Sequence, residues 1–295
     1  MLVEKYFESR KNLVNEGLKK SLDPKGVKPK RLMKAMRYSV FNGGKRLRPI
    51  LLFATYEMLR GRKNVRTLKT TIPAAVALEL VHSASLIHDD LPSMDDSDER
   101  RGKPSSHIKY DEATAILTGD ALITKAFEVL TQIKNKEKSI KCINALSRSL
   151  STRGIIGGQA VDVIGSRKKI RINELRYIHM KKTGSLLQAA VELACIMNGA
   201  EEKVFINLNN YALKLGLSYQ IIDDILDEIG IYDVLGKAPG SDFRNNKATY
   251  PALIGLEKSK KAVVKLLKES RTLLKDMKHK QILIEFVNNV ESRLP

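Results

Sequence analysis

The sequence predicts an all-α fold built as a bundle of long helices. Apolar residues recur at three- and four-residue spacing over most of the chain. No alternating apolar–polar run is long enough for a useful strand, and Gly and Pro cluster between the periodic stretches. Pro24, Gly26 and Pro29 separate a first helix from the next, and Gly43-Gly44 precede a helix over 46–60 that Gly61 closes. Periodic stretches follow at 69–90, 111–133, 138–153, 173–198, 201–229 and 258–275, with breaks at Gly102 to Pro104 and Gly236 to Gly240. No solenoid-length repeat and no linker composition interrupts the 295 residues, so one domain over 1–295 is expected. A 43% apolar content is that of a globular chain able to bury a sizeable core.

The N-terminus lacks a charged-then-apolar signal pattern. The most apolar stretch, 72–91, carries Glu79, His82, His88, Asp89 and Asp90, which argues against a bilayer span. A soluble, cytoplasmic protein is therefore expected. Cys142 and Cys195 make no disulfide framework and read as core residues of a reducing compartment. The net charge of +19 raises the question of nucleic acid, but Lys and Arg are spread over the whole length, and there is no Trp and no aromatic-rich basic segment. A solvated basic surface that attracts anionic substrates accounts for it.

Two carboxylate clusters carry the chemistry. In Gln220-Ile-Ile-Asp223-Asp224-Ile-Leu-Asp227, helical geometry puts Asp223 and Asp227 about 40° apart, with Gln220 one turn earlier. Mutually repelling acids inside an apolar stretch are stable when a hard cation neutralises them, and oxygen ligands suit Mg²⁺. A solvated acidic face is the bland alternative. The other cluster runs Asp89-Asp90-Leu-Pro-Ser-Met-Asp95-Asp96-Ser-Asp98-Glu99-Arg100-Arg101. In a straight helix Asp89 and Asp95 would point about 240° apart. Pro92 predicts a helix end or kink near Leu91 that lets the chain bring Asp95 back toward Asp89. Acids beside an Arg-Arg pair suit a substrate with both metal-bound and directly held phosphates. Because Mg²⁺ binds through one or two carboxylates plus substrate phosphates, several ions around one diphosphate are expected rather than a protein cage.

Gly43-Gly44-Lys45-Arg46-Leu47-Arg48-Pro49 is a basic turn entering a helix, without the phosphate-loop pattern of nucleotide triphosphatases. Its glycines allow close backbone approach, and Lys45 and Arg48 share a helix face. His82, two turns before Asp89, lies on nearly the same face. Lys182-Thr183-Gly184, Lys237 and Lys247 are further cations in the second half of the chain.

In this order, Gly43 to Pro49, Asp89 to Asp96, Arg100 to Pro104, Gly157-Gly158-Gln159, Lys182 to Gly184, Gln220 to Asp227 and Lys247 to Pro251 resemble the trans-prenyl diphosphate synthases, which include farnesyl and geranylgeranyl diphosphate synthases. The resemblance covers nearly the whole chain. It implies an isoprenoid synthase fold, with helices around a central cavity and the aspartate motifs facing across its mouth. It implies Mg²⁺, three ions with a bound diphosphate, held by Asp89, Asp90, Asp95 and Asp223, with Asp227 in support. The allylic diphosphate would meet Arg100, Lys182, Thr183, Gln220, Lys237 and Lys247, of which Lys182, Thr183 and Gln220 would serve catalysis. Isopentenyl diphosphate would meet Lys45, Arg48, His82 and Arg101. A homodimer without nucleic acid or a membrane span is the family expectation. Ser97 and Glu228 depart from the family pattern without removing a ligand.

In relatives that stop at fifteen carbons an aromatic residue often fills the place of Ala84 or Ser85, beside the tunnel for the growing chain. Both are small here, which favours a twenty-carbon product, with farnesyl diphosphate as the alternative. A terpene cyclase of similar fold would not need the Gly43–Arg48 turn, His82 and Arg101. A non-catalytic subunit of a heteromeric synthase would lack an aspartate motif. A basic nucleic-acid binder has no further support.

Overall fold

The computed structural model describes residues 2–61, 65–165, 170–230 and 248–295. They are helical almost throughout, as the periodicity predicts: α1 Leu2–Ser21, α2 Lys30–Phe41, α3 Leu47–Arg60, α4 Val65–Leu68, α5 Ile72–Asp89, α6 Ser106–Lys109, α7 Glu112–Leu130, α8 Lys136–Leu150, α9 Ile155–Gly165, α10 Ile172–His179, α11 Ser185–Asn198, α12 Glu202–Ile229, α13 Tyr250–Ile254, α14 Leu256–Leu273 and α15 Gln281–Glu291. Among the described residues the only sheet is a hairpin of two-residue strands, β1 Glu99–Arg100 and β2 Lys103–Pro104, too short for an alternation to reveal. The chain divides into two compact units, Met1–Phe53 with Lys63–Asn144, and Ala54–Arg62 with Ala145–Pro295.

In the first unit α5 is the central element, packed by α7, α1 and α2. Pro73 opens it, where a missing N–H costs nothing, and Ala74 to Val81 are buried. Small residues let the neighbours close in. A Cβ on Gly17 of α1 would lie 2.7 Å from Val76, and one on Gly119 of α7 would lie 2.1 Å from the His88 ring. Asp111 caps α7 by accepting from the Thr114 amide at 2.6 Å. The expectation that no stretch is apolar enough to span a bilayer needs correcting. Lys69–Asp89 would suffice by length and composition, with a mean hydropathy of 1.4. However, two-thirds of that window is buried inside the protein, and Glu79 within it is paired, so α5 is placed as a core helix.

In the second unit α12 takes the central place, flanked by α11, α14, α13 and α15. It ends on Gly230 at φ 74°, and α11 ends on Gly199 at φ 75°, both in the left-handed region that glycine adopts without strain. The helix expected over 173–198 is continuous in path but contains a π-helical turn, Met180–Gly184, between α10 and α11. Cys142 and Cys195 are free and buried, and burial pushes the Cys195 thiol up to about 12.

Candidate active site

In the first unit the acids sit where α5 stops. Pro92 disfavours helix at Leu91, and α5 ends at Asp89, slightly earlier than the proline alone suggests. The chain then folds back on itself. The Asp95 amide donates to the Asp89 carbonyl at 2.9 Å, the Asp96 amide to Leu91 at 3.1 Å and the Ser97 amide to Asp90 at 3.2 Å. Asp96 takes φ 47° to complete the reversal. Asp89 and Asp95 thus lie on one turn, half-buried, whereas Asp90 is buried. Arg100 reaches both Asp90 oxygens through Nε, at 3.0 and 3.2 Å, and binds one again through Nη2. Burial pushes the Asp90 carboxyl up against the opposing pull of Arg100. Asp90 is therefore engaged as the anchor of Arg100.

The hairpin explains why two adjacent arginines serve different partners. Arg101 and Gly102 form its two-residue turn with φ 58° and 71°, the left-handed pair that a tight hairpin requires. A non-glycine residue there is strained by about 1 kcal/mol. Arg100 turns to Asp90, while Arg101 donates through Nη1 to the Gly43 carbonyl at 2.9 Å. A Cβ on Gly44 would lie 2.6 Å from Arg101 Nη1 and push the guanidinium aside, and φ values of 95° and 104° favour glycine at Gly43 and Gly44. Asn42, just past the end of α2, and Tyr38 of α2 tie the hairpin down through the carbonyls of Arg100 (3.1 Å) and Pro104 (2.7 Å).

Within the basic turn, Lys45 is exposed and Arg48 half-buried, but Arg46 points inward. It pairs with Glu79 at 2.7 Å, both side chains almost fully buried, and donates to Asn15 and the Val40 carbonyl. Arg48 Nη1 meets His82 Nε2 at 3.1 Å. Desolvation first, and then Arg48, Arg101, Arg100 and Arg46, hold the His82 imidazole well below its ordinary range. At neutral pH His82 is uncharged, with Nε2 as acceptor for Arg48 and Nδ1 left as the N–H donor. The unfolded chain keeps the ordinary value of about 6.5, so below that pH it takes up a proton that the folded state refuses. Stability is therefore expected to fall as pH drops below about 6.5, and to fall less in His82→Gln. Urea unfolding midpoints over a pH series check this. Ala84 is fully buried, and the Ser85 hydroxyl donates to the His82 carbonyl at 2.9 Å.

In the second unit the π turn carries Lys182 and Thr183. Such turns widen a helix and recur at functional sites. Two helices approach it through glycine. A Cβ on Gly158 of α9 would lie 2.6 Å from Lys181 Cβ, and one on Gly216 of α12 would lie 3.0 Å from Gly184 Cα. On each helix the residue four positions on, over the same face, pairs with the turn. Asp162 binds Lys182 Nζ at 3.0 Å, and Gln220 Oε1 accepts from the Thr183 hydroxyl at 2.7 Å. One turn beyond Gln220, Asp223 accepts from Arg293 at 2.7 Å, and Arg293 also lies over the Tyr219 ring. Asp224 and Asp227 are buried, and Glu228 is exposed, which accommodates its departure from the expected apolar type. Lys237 and Lys247 lie outside the described residues.

Sequence reasoning missed Arg293 as the partner of Asp223, Asp162 as the partner of Lys182, and the pairing of Asp224 with His179 of α10 at 2.9 Å. Asp162 alone had a local signal, four positions after Gly158. Among the described residues no three acidic, histidine or cysteine side chains converge as a ready-made metal cage. The candidate donors are carboxylates, two of them, Asp89 and Asp95, on the reversal after α5. Such a set fits Mg²⁺ that completes its shell with phosphate oxygens and water.

The family model for polyprenyl synthetase matches residues 29–287. The chain is 43% identical over 270 residues to a geranylgeranyl diphosphate synthase of Cyanophora paradoxa, covering 90% of this chain and 88% of that protein. It is 42% identical over 280 residues to a farnesyl diphosphate synthase of Micrococcus luteus, covering 94% of each. Among solved structures, an FPP/GFPP synthase from Zymomonas mobilis superposes with a TM-score of 0.86 at 30% identity, over 97% of this chain and 98% of that one. With the aspartate turn, the paired arginines and the lysine-bearing π turn in place, the chain belongs to the trans-prenyl diphosphate synthases of the polyprenyl synthetase family, all-α enzymes of prenyl transfer.

Proposed function

We propose that this enzyme condenses isopentenyl diphosphate head to tail with the allylic diphosphates dimethylallyl, geranyl and farnesyl diphosphate, and that geranylgeranyl diphosphate is its main product. The observation that carries the reading is the reversal after α5, in which Asp95 returns to Asp89 beside an arginine pair splayed toward different partners. Asp89, Asp95 and Asp223 would hold Mg²⁺, three ions with the diphosphate bound, and Asp227 supports Asp223. Asp90 enters this set through Arg100 rather than as a ligand. Mg²⁺ held by these carboxylates would supply charge neutralisation for the departing diphosphate. A cation at Asp223 would compete with Arg293 for its carboxylate.

Arg100 and Lys182, with Lys237 and Lys247, bind the allylic diphosphate. Lys45, Arg48 and Arg101 bind isopentenyl diphosphate, and neutral His82 adds a hydrogen bond without adding charge. Thr183 and Gln220 orient the reacting end of the allylic substrate. The allylic carbon–oxygen bond breaks in a dry site, the double bond of isopentenyl diphosphate supplies the electrons of the new carbon–carbon bond, and the departing diphosphate takes the proton then released. No side chain is assigned as general base.

Small Ala84 and Ser85 support the twenty-carbon product. Farnesyl diphosphate is the second reading, favoured by the name of the Micrococcus relative. A homodimer is part of the proposal, supported by exposed Ile116 and Leu117 on α7 and Ile140 on α8. So is a soluble, cytoplasmic enzyme, supported by the burial of α5. Incubation with dimethylallyl and isopentenyl diphosphates plus Mg²⁺, followed by chromatography of dephosphorylated products, tests activity and chain length together. Absence of prenyl alcohols would sink the proposal. Ala84→Phe is expected to shorten the main product by one or more five-carbon units; an unchanged product distribution would remove Ala84 from the floor of the tunnel.

A further inference from the structure

Asp224 is adjacent to Asp223, yet its surroundings are unlike those of its neighbour. It is 3% exposed, and one of its oxygens, Oδ2, accepts from two groups distant in sequence: His179 Nε2 at 2.9 Å and the backbone amide of Tyr250 at 2.9 Å. The His179 ring is also buried and stacks on the Tyr250 ring, with centroids 5.5 Å apart and planes at 19°. Tyr250 opens α13, whose first turn Thr249 caps by accepting from the Ala252 amide. His179 is the last residue of α10, immediately before the π turn that carries Lys182 and Thr183.

We propose that Asp224 is a positioning residue for prenyl transfer: through His179 it fixes the start of the π turn, and hence Lys182 and Thr183, against the helix that carries Gln220 and Asp223. The inference rests on the function proposed above and adds a residue to it. The physical argument is geometric. A π turn replaces the regular i to i−4 ladder with i to i−5 bonds and is rare, so contacts from outside help to select its shape. Here three contacts to other helices hold it: Gly216 and Gln220 of α12 beside Gly184 and Thr183, Gly158 and Asp162 of α9 beside Lys181 and Lys182, and Asp224 of α12 at its entrance. The first and third belong to α12 itself. A charge-assisted bond from a buried carboxylate fixes both the ring orientation and the distance of His179. Stacking on Tyr250 leaves that ring little freedom to turn. Both donors converge on Oδ2, so that oxygen is committed to the contact with α10 and α13, and the Mg²⁺ dependence of the variants decides whether the carboxylate also meets a cation.

The test uses the full-length enzyme with Asp224→Ala, Asp224→Asn, Lys182→Ala and the Asp224→Ala/Lys182→Ala double variant. Asparagine keeps an acceptor oxygen in the same place and guards against loss of the fold. Asp224→Ala is expected to lower kcat by about a hundredfold, with the Mg²⁺ concentration for half-activation unchanged, and Asp224→Asn to recover most of that loss. The double variant should lose clearly less activity than the product of the two single losses, because the route through Lys182 is broken twice and only the part through Thr183 adds to it. Amide exchange over Met180–Gly184 should speed up in Asp224→Ala and stay close to wild type in Asp224→Asn.

Losses that multiply in the double variant would overturn the proposal. A raised Mg²⁺ requirement with kcat restored at high Mg²⁺ would also overturn it, since Asp224 would then be a ligand. Unchanged exchange in the π turn would do the same. If wild-type enzyme forms no prenyl product, the functional reading falls, but the exchange experiment still decides whether Asp224 holds the turn.

Discussion

Replacement of Asp89 by alanine is expected to lower kcat/KM for prenyl transfer by about a thousandfold, equivalent to about 4 kcal/mol of lost transition-state stabilisation. The fold should survive. Asp89 is the last residue of α5 and half-buried, and the hydrogen bond that reverses the chain uses its backbone carbonyl, not its side chain. The Mg²⁺ concentration for half-activation should rise with the loss if Asp89 is the ligand proposed above, because the ion would then rely more heavily on phosphate oxygens. Asp90→Ala should behave differently. It leaves the buried part of Arg100 without its counter-charge, so stability falls along with activity. Steady-state kinetics over a Mg²⁺ series, with thermal unfolding of each variant, separates the two. An Asp89→Ala enzyme of near wild-type activity would remove the aspartate turn from the proposed chemistry.

Substitution of Arg46 by methionine is expected to be the most destabilising single change in the basic turn, at about 3–5 kcal/mol, the cost of leaving one member of a buried ion pair alone. Glu79, with a side chain only 2% exposed, would then sit uncompensated in the middle of α5. The loss extends beyond the pair, since Arg46 also donates to Asn15 and the Val40 carbonyl and so joins α1, α2 and α5. Removing both charges, as Arg46→Met with Glu79→Leu, should recover a large part of the stability. Lys45→Ala, at an exposed position next to it, should leave the unfolding midpoint unchanged and raise KM for isopentenyl diphosphate. Urea unfolding of the three variants checks the ranking. Equal midpoints for Arg46→Met and wild type would mean that the pair is not formed in solution.

The helices were legible from periodicity alone, because burial of one face leaves its mark every three or four residues. The turns were legible where a residue type has one conformational use: Pro92 stops α5, and Gly43 and Gly44 take φ values that other residues avoid. The π turn was not legible. Its residues continue the helical pattern, and only the helices pressed against it through Gly158 and Gly216 distinguish it.

By itself the sequence determined the helical class, the places where helices stop, the two acidic clusters with their basic companions, and membership of a family through the order of those motifs. Tertiary structure alone decided which acid in each adjacent pair turns inward, Asp90 to Arg100 and Asp224 to His179, and which basic residue of the turn is structural rather than available to an anion. The reason is physical. Helical spacing states which side chains share a face, but what that face meets depends on partners tens of residues away, brought there by packing.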